Sequence, residues 1–582
     1  MIRRLIPFAR KYKTATLIGP LLIILEVLIE VRIPLMMARI VDIGIPSKDI
    51  NYVLKTGGLM VLMALLSLAC GIVASYFSSI ASMGFGSEIR RVLFDKIQGF
   101  SFSNTDKFST SSLVMRLTTD ISNVQMAFMM IIRIMVRAPV MLLFATIMAT
   151  RINSSLVSVF LIAIPFLAVV LGLIMYFAFP KFRAMFIKYD AMNASVQENL
   201  VAIRVVKSFV RASHEKKKFK EANDNQMSAA IEAEKIVQVN LPVMQLTMYA
   251  CIVAILWFGG NMVISRTMKT GELISFISYV SQILIQLIML SMVFVNVIIS
   301  RASATRIIEV LDEKIAVTDD DIVSPASVPD GSIIFEDVSF SYNPEADEKV
   351  LEHIDLTIKS GDTVGIIGGT GSGKTSLVHL IPRLYDVTDG RILVGGRDVR
   401  NYRIEDLRSE VSMVLQKNVL FSGTIKDNLK WGNEDASDEE IEVACRTAQA
   451  HDFIMSFPDG YDTHLGQGGV NVSGGQKQRL TIARALLKKP KILILDDSTS
   501  AVDTRTDSRI RSALKEKRNN TTTIIIAQRI TSVSEADQII VMDDGKINGI
   551  GTHDELLTGN RIYREVYESQ QKGVDQECRE EI

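Results

Sequence analysis

Cysteine is scarce in this chain of 582 residues: Cys70, Cys251, Cys445 and Cys578 are scattered, with no C-x-x-C pair and no zinc-type spacing. A disulfide framework is not implied, and the thiols are expected to be reduced. Net charge is absent too, because 64 Lys and Arg balance 64 Asp and Glu. Nucleic-acid binders carry a basic excess, so no nucleic-acid partner is expected. The chain also shows no internal repeat and no long low-complexity tract. No small-residue cleavage site follows its first apolar run, which therefore reads as a retained helix and not as a signal peptide.

What the chain has in excess is apolar sequence, 48% of residues, concentrated in its first half. Crossing a bilayer takes about 20 mostly apolar residues. Six stretches qualify, at roughly 15 to 40, 56 to 83, 127 to 150, 155 to 179, 237 to 264 and 273 to 299. Six spans place both termini on one side of a lipid bilayer. Arg3, Arg4, Arg10, Lys11 and Lys13 precede the first span, and the stretch from Lys181 to Lys235 is rich in Lys and Arg, whereas the opposite segments carry few, such as Lys48, Arg151 and Lys269. The positive-inside rule then predicts a multi-pass protein of the cytoplasmic (inner) membrane with both termini cytoplasmic. The two long inside segments, about 84 to 126 and 180 to 236, show helical periodicity with interspersed charge, which predicts helices continuing beyond the bilayer. Asp319-Asp320-Asp321, Pro325 and Pro329 interrupt the pattern. The expected domains are a membrane domain at 1–310, a linker at 311–331, a nucleotide domain at 332–571 and a polar tail at 572–582.

Downstream of the apolar stretches stands Gly368-Gly369-Thr370-Gly371-Ser372-Gly373-Lys374-Thr375, of the form G-x-x-x-x-G-K-[ST]. Its glycines let backbone N–H groups close around phosphate, Lys374 neutralises phosphate charge, and the Thr375 hydroxyl can ligate Mg²⁺. The apolar run Val364-Gly365-Ile366-Ile367 reads as a strand before the loop, and Thr375 with Ser376 opens a helix after it. Lys491-Ile492-Leu493-Ile494-Leu495-Asp496 reads as a buried strand ending in a carboxylate that can hold Mg²⁺. Asn471 to Arg479 contains Ser473-Gly474-Gly475-Gln476, a glycine pair that opens an amphipathic helix and offers N–H groups and a hydroxyl to phosphate.

With these motifs in this order, nearly the whole chain resembles the ATP-binding cassette exporters: an all-α domain of six transmembrane helices fused to an α/β phosphate-loop domain. The resemblance implies ATP and Mg²⁺ as cofactors. It further implies that Tyr342 stacks on adenine, that Gln416 senses Mg²⁺ and the membrane domain, and that Asp503 lies at the interface of two nucleotide domains. In that family each ATP is sandwiched between one subunit's phosphate loop and the other's signature, so a single chain cannot complete a site.

Two positions depart from the family pattern. Where the family has a catalytic glutamate after Asp496, this chain has Asp497, and where it has a switch histidine, this chain has Gln528. Aspartate is one methylene shorter, which sets its oxygen about 1.5 Å back. Positioned base catalysis contributes about 10² to 10⁴ in rate, so such a misplacement is costly. The pattern resembles the degenerate half of a heterodimeric multidrug-type exporter, whose partner would supply the glutamate and the histidine while Ser473 to Gln476 complete the partner's site. Gln467 is a further departure, standing where exporters carry a glutamate near the membrane helices. Homodimeric exporters of lipid or peptide, and a non-transporting regulator gated by ATP, remain the alternative readings.

In the membrane half Glu26 and Glu30 lie four apart on one helical face, with Arg32 nearby, and Arg133 and Arg137 repeat the spacing in the third span. Two readings stand for the carboxylates: a cavity wall favouring cationic amphiphiles, or an interhelical ion pair with an arginine. Gln282 and Gln286 share a face beside Met289 and Met292, which suits either a small-molecule substrate or simple packing. Thr105 to Ser112 and Glu198 to Val206 fall where the family has its short coupling helices.

Overall fold

The structure, a computed structural model, describes residues 2–319, 327–343, 348–497, 502–516 and 521–580. The chain divides into two compact units, Met1–Gln98 with Thr110–Glu313, and Gly99–Ser109 with Lys314–Ile582.

The first unit is helical. Among the described residues, five helices are long and apolar enough to cross a membrane: Ile50–Gln98, Thr110–Ile152, Leu161–Val201, Ala212–Ile264 and Thr270–Leu290. The Ile50–Gln98 helix has 49 residues, about 74 Å at 1.5 Å per residue, more than twice a hydrocarbon core of about 30 Å. Such helices continue beyond a bilayer, as the periodicity of the long inside segments predicts. The first expected span differs from the other five. It forms a helix at Lys13–Glu30, a turn at Val31 and Arg32, and a second helix at Ile33–Arg39. Lys13, Glu26 and Glu30 put three charges within the 18 residues of Lys13–Glu30, so its burial depends on packing and pairing. Gly19 supplies the packing: a Cβ there would lie 2.8 Å from Ser78 Oγ on the Ile50–Gln98 helix, and such close approach is how small residues join membrane helices. Around Val27 and Val31 a buried cluster gathers Met141, Ala145, Tyr279 and Ile283. The Tyr279 hydroxyl donates to the Val31 carbonyl at 2.6 Å, at the turn.

The second unit is an α/β layer structure. Its main sheet has six strands, ordered Lys546–Gly551, Gln538–Asp543, Thr363–Gly368, Thr522–Ile526, Ile492–Asp496, Val411–Val414, parallel except for the first. Side chains alternate across it as strand geometry requires: Ile366, Ile492, Ile494, Ile524 and Ile526 enter one core, and Ile367, Leu493, Leu495 and Ile525 the other. A second, antiparallel sheet of four strands includes Ile333–Phe340 and Leu351–Ile358. The expected linker begins inside the helix Thr270–Asp312, and its Asp320, Asp321 and Pro325 lie outside the described residues. The short helix Phe102–Lys107 belongs to this second unit. There Asp106 accepts from the Tyr385 hydroxyl at 2.6 Å, and Asn104 donates to the Lys314 carbonyl at 2.8 Å.

Candidate nucleotide site

Three neighbouring parallel strands end together and place the site. Thr363–Gly368 leads into the phosphate loop, Ile492–Asp496 ends in its carboxylate, and between them Thr522–Ile526 leads to Gln528. Ligands of open parallel sheets bind at these carboxyl ends. Gly371 and Gly373 adopt φ of +86° and +91°, which only glycine enters freely. A Cβ on Gly368 would come within 2.2 Å of the Met542 carbonyl oxygen. The loop ends at the helix Lys374–Leu380, which Thr375 and the buried Ser376 open. Ser372 is also buried, whereas Gly369, Thr370 and Gly371 are exposed at the loop crest.

Lys374 Nζ turns back onto the loop, donating to the Gly368 and Gly369 carbonyls at 2.9 and 2.7 Å. Burial pushes its pKa down, against the pull of Asp496 and Asp497. A phosphate placed in the loop would relieve that cost by matching the charge. The residues also fit a divalent cation. Asp496 is 2% exposed; its Oδ1 accepts from Thr375 Oγ1 at 3.2 Å, and its Oδ2 is buried with no hydrogen-bond partner among the described residues. Burial, reinforced by the Asp497 charge, raises its pKa against the opposing Thr375 hydrogen bond and Lys374. A hard cation prefers such oxygen donors and would supply the missing partner.

The two departures from the family pattern touch each other. Gln528 Nε2 donates to Asp497 Oδ2 at 3.0 Å. Asp497 sits at φ +46°, a left-handed conformation uncommon for a residue with a Cβ. Its N–H donates to the Ile526 carbonyl at 3.1 Å, and its own carbonyl accepts from Nε2 of the buried Gln478 at 3.2 Å. Burial raises the Asp497 pKa, while hydrogen bonds with Gln416 and Gln528 and the Lys374 charge work against that rise. Gln416 is thus brought to the same corner.

Tyr342 is 45% exposed, its hydroxyl 2.9 Å from Ser376 Oγ, with its ring edge-to-face against Phe340 and Tyr385. Ser473 caps the helix Gly474–Leu487 in a reciprocal box: Gln476 N–H donates to Ser473 Oγ at 3.3 Å and Ser473 N–H to Gln476 Oε1 at 2.9 Å. Ser473 and Gly474 are exposed, with Gly475 half-buried behind them. Asp503, also exposed, accepts from the Thr506 N–H at 2.9 Å, and the preceding Ser500 and Ala501 lie outside the described residues. Gln467 is exposed.

The membrane candidates separate. Arg137 donates to Glu26 at 2.5 Å and to Glu30 at 2.6 Å, forming a bridge between helices. Gln282 keeps a buried Oε1 with no partner among the described residues, and Gln286 is 9% exposed. Sequence reasoning missed Gln478 and Gln570. Gln478 was unmarked within the motif, and Gln570 was one polar residue among many on the last helix.

Residues 16–288 match the family model described as the ABC transporter transmembrane region, and residues 351–500 match the one described as ABC transporter. The chain is 39% identical, over 98% of both chains, to an uncharacterized ABC transporter ATP-binding protein of Bacillus subtilis, YfiB. It is 32% identical, over 97% of its length and 99% of the other's, to Bacillus subtilis YgaD, provisionally named a multidrug export ATP-binding/permease protein. Its fold is similar to that of a bacterial Atm1-family ABC exporter with ATP bound, with a TM-score of 0.83 and 25% identity over 96% of this chain and 98% of that one.

Proposed function

This chain belongs to the ABC transporter family, as an exporter with its membrane and ATP-binding regions fused, and from that premise we propose that it is the slowly hydrolysing half of a heterodimer. Its cargo is small amphiphilic molecules of the multidrug type, moved across the cytoplasmic membrane with both termini inside. The observation that carries this reading is the hydrogen bond from Gln528 to Asp497: both departures lie on the water side and satisfy one another, while Lys374, Thr375 and Asp496 keep the phosphate side whole.

Bound ATP with Mg²⁺ supplies the phosphoryl group whose transfer to water drives the cycle. Lys374 and the loop N–H groups hold phosphate, Thr375 and Asp496 hold the cation, Gln416 reports on it, and Tyr342 holds the base. Asp497 is too short and too engaged to orient water well. Ser473, Gly474, Gly475 and Gln476 serve the partner's nucleotide, and Asp503 meets the partner. Nucleotide shifts the conformational equilibrium only through tighter binding to one state, so a site that holds ATP biases that equilibrium persistently. Two uncovered apolar surfaces support a second subunit. One is the tip around Val201, Phe209 and Val210, exposed by 82, 73 and 83%. The other is a groove of about 340 Å³ lined by Leu415, Val419, Phe421 and Trp431.

The test is Mg²⁺-dependent ATP hydrolysis by the purified chain, alone and coexpressed with a candidate partner half-transporter. Activity should appear only in the mixed complex and vanish when the partner's glutamate is changed. Robust hydrolysis by this chain alone, lost in Asp497→Asn, would establish the homodimer instead.

A further inference from the structure

The last helix, Arg561–Glu580, reaches the water side of the nucleotide site through one side chain. Gln570 donates from Nε2 to the Gln528 carbonyl at 2.7 Å and accepts at Oε1 from the Ile530 N–H at 2.9 Å. A carboxamide that satisfies a C=O and an N–H two residues apart does the work of a neighbouring strand. The strand Thr522–Ile526 has ended by this point; Ala527 N–H still donates to the Ile366 carbonyl and the Arg529 carbonyl accepts from Ser532 N–H, and between them Gln570 meets the Gln528 carbonyl and the Ile530 N–H. Gln570 therefore fixes the backbone on both sides of Arg529 and with it the direction in which Gln528 projects. That side chain lies on Asp497 Oδ2 at 3.0 Å. Asp497 cannot follow if Gln528 moves, because its own N–H and carbonyl are tied to Ile526 and Gln478. A shift of Gln528 would free Oδ2 and leave Gln416 as a remaining partner of the carboxylate.

We propose that Gln570 is a positioning residue that acts as a brake on hydrolysis: by fixing Gln528 it keeps the Asp497 carboxylate engaged and unavailable to orient water. ATP on this chain then persists through cycles run elsewhere. The proposal rests on the slow-site reading given above and adds the device that enforces it.

The full-length chain, with its partner subunit where one copurifies, is placed in nanodiscs and photolabelled with 8-azido-ATP labelled at the α or the γ phosphate. The γ-to-α ratio on this chain, followed in time, gives the cleavage rate at its own site. Gln570→Ala should raise that rate about fivefold, the size of one net hydrogen bond, with the α label unchanged and the melting temperature slightly lowered by loss of the Ile530 N–H partner. Gln570→Glu keeps the acceptor for Ile530 but sets a carboxylate oxygen against the Gln528 carbonyl in place of the donor, so it should raise the rate as well. In a Gln528→Ala background Gln570→Ala should add nothing. A damaged fold does not produce a faster site, which separates this role from a merely structural one. An unchanged or lower rate in both Gln570 variants, or a full effect surviving in Gln528→Ala, overturns the proposal. The wild-type ratio reports separately on the slow-site reading: rapid loss of γ label from the unaltered chain rejects that reading, whereas the brake is judged on the difference between variants.

Discussion

The two units treat buried carboxylates in opposite ways. In the membrane unit the half-buried Glu26 and Glu30 share Arg137, and Asp120, wholly buried, is held by Arg306. In the nucleotide unit Asp496 is equally inaccessible, yet one of its oxygens has no partner among the described residues. Burying charge is costly unless it is compensated. Pairing compensates it within the fold, whereas an unpaired oxygen beside Lys374 and Thr375 is one that a bound cation would compensate. Position matters as well as pairing, because Asp406 and Asp507 also leave one buried oxygen with no partner among the described residues, on helices and not at the strand ends. Asp497 falls on the paired side of this contrast. Next to an open carboxylate stands a closed one, and two glutamines, Gln416 and Gln528, share in its closure.

Opening the closed carboxylate should have the largest effect. Asp497→Glu together with Gln528→His restores reach and frees the acceptor. Cleavage on this chain should then rise on the order of 100- to 1000-fold, within what positioned base catalysis contributes. Asp497→Glu alone should gain far less, because Gln528 still engages the carboxylate. Labelled-phosphate release from the chain measures both. Closing the open carboxylate comes next: Asp496→Asn should weaken Mg²⁺-dependent retention of ATP by about 100-fold, the several kcal/mol that a bound metal supplies, while binding in EDTA stays near wild type. Equal losses with and without Mg²⁺ would place the cation elsewhere.

Breaking a paired cluster should act on stability and not on nucleotide. Arg137→Met leaves two carboxylates facing one another, and breaking a buried pair costs about 3 to 5 kcal/mol. Glu30 is 31% and Arg137 26% exposed at the side chain, so about 2 kcal/mol is the expected loss after screening. Melting in detergent should show it, and Glu26→Gln with Glu30→Gln in the same chain should recover most of it. A melting curve unmoved by Arg137→Met would mean that the bridge is incidental.

The chain order of strand, loop and helix and the motif glycines made the nucleotide fold legible, because backbone closure around phosphate admits few residue types. Spans were legible from apolar length, except the first, where Glu26 and Glu30 leave the outcome to an arginine that sequence could not choose among Arg32, Arg133 and Arg137. Asp497 and Gln528 were each visible as departures, but their hydrogen bond joins residues 31 apart on separate strand ends. Gln570 carried no signal at all: its role lies in reaching two backbone groups, and backbone groups are the same in every sequence.

If unpaired buried groups mark ligand sites, the membrane unit should bind cargo at Gln282 and not at Glu26 or Glu30. Gln282 lies three residues beyond Tyr279, whose hydroxyl holds the turn of the first span, so the two share a helix face. A buried amide oxygen without a donor costs about 1 to 3 kcal/mol, and a cargo molecule offering an N–H or a cationic head would recover part of that. Gln282→Leu removes the cost while keeping the volume, so the protein should melt slightly higher and yet transport a cationic dye about threefold less well, a loss of under one net hydrogen bond. Glu26→Gln should lower stability and leave the apparent affinity for dye unchanged. Vesicle uptake and melting measured on the same two preparations decide the matter. Should Glu26→Gln alter affinity while Gln282→Leu does not, pairing in the resting structure would not predict where cargo binds, and the contrast between the two units would hold for nucleotide alone.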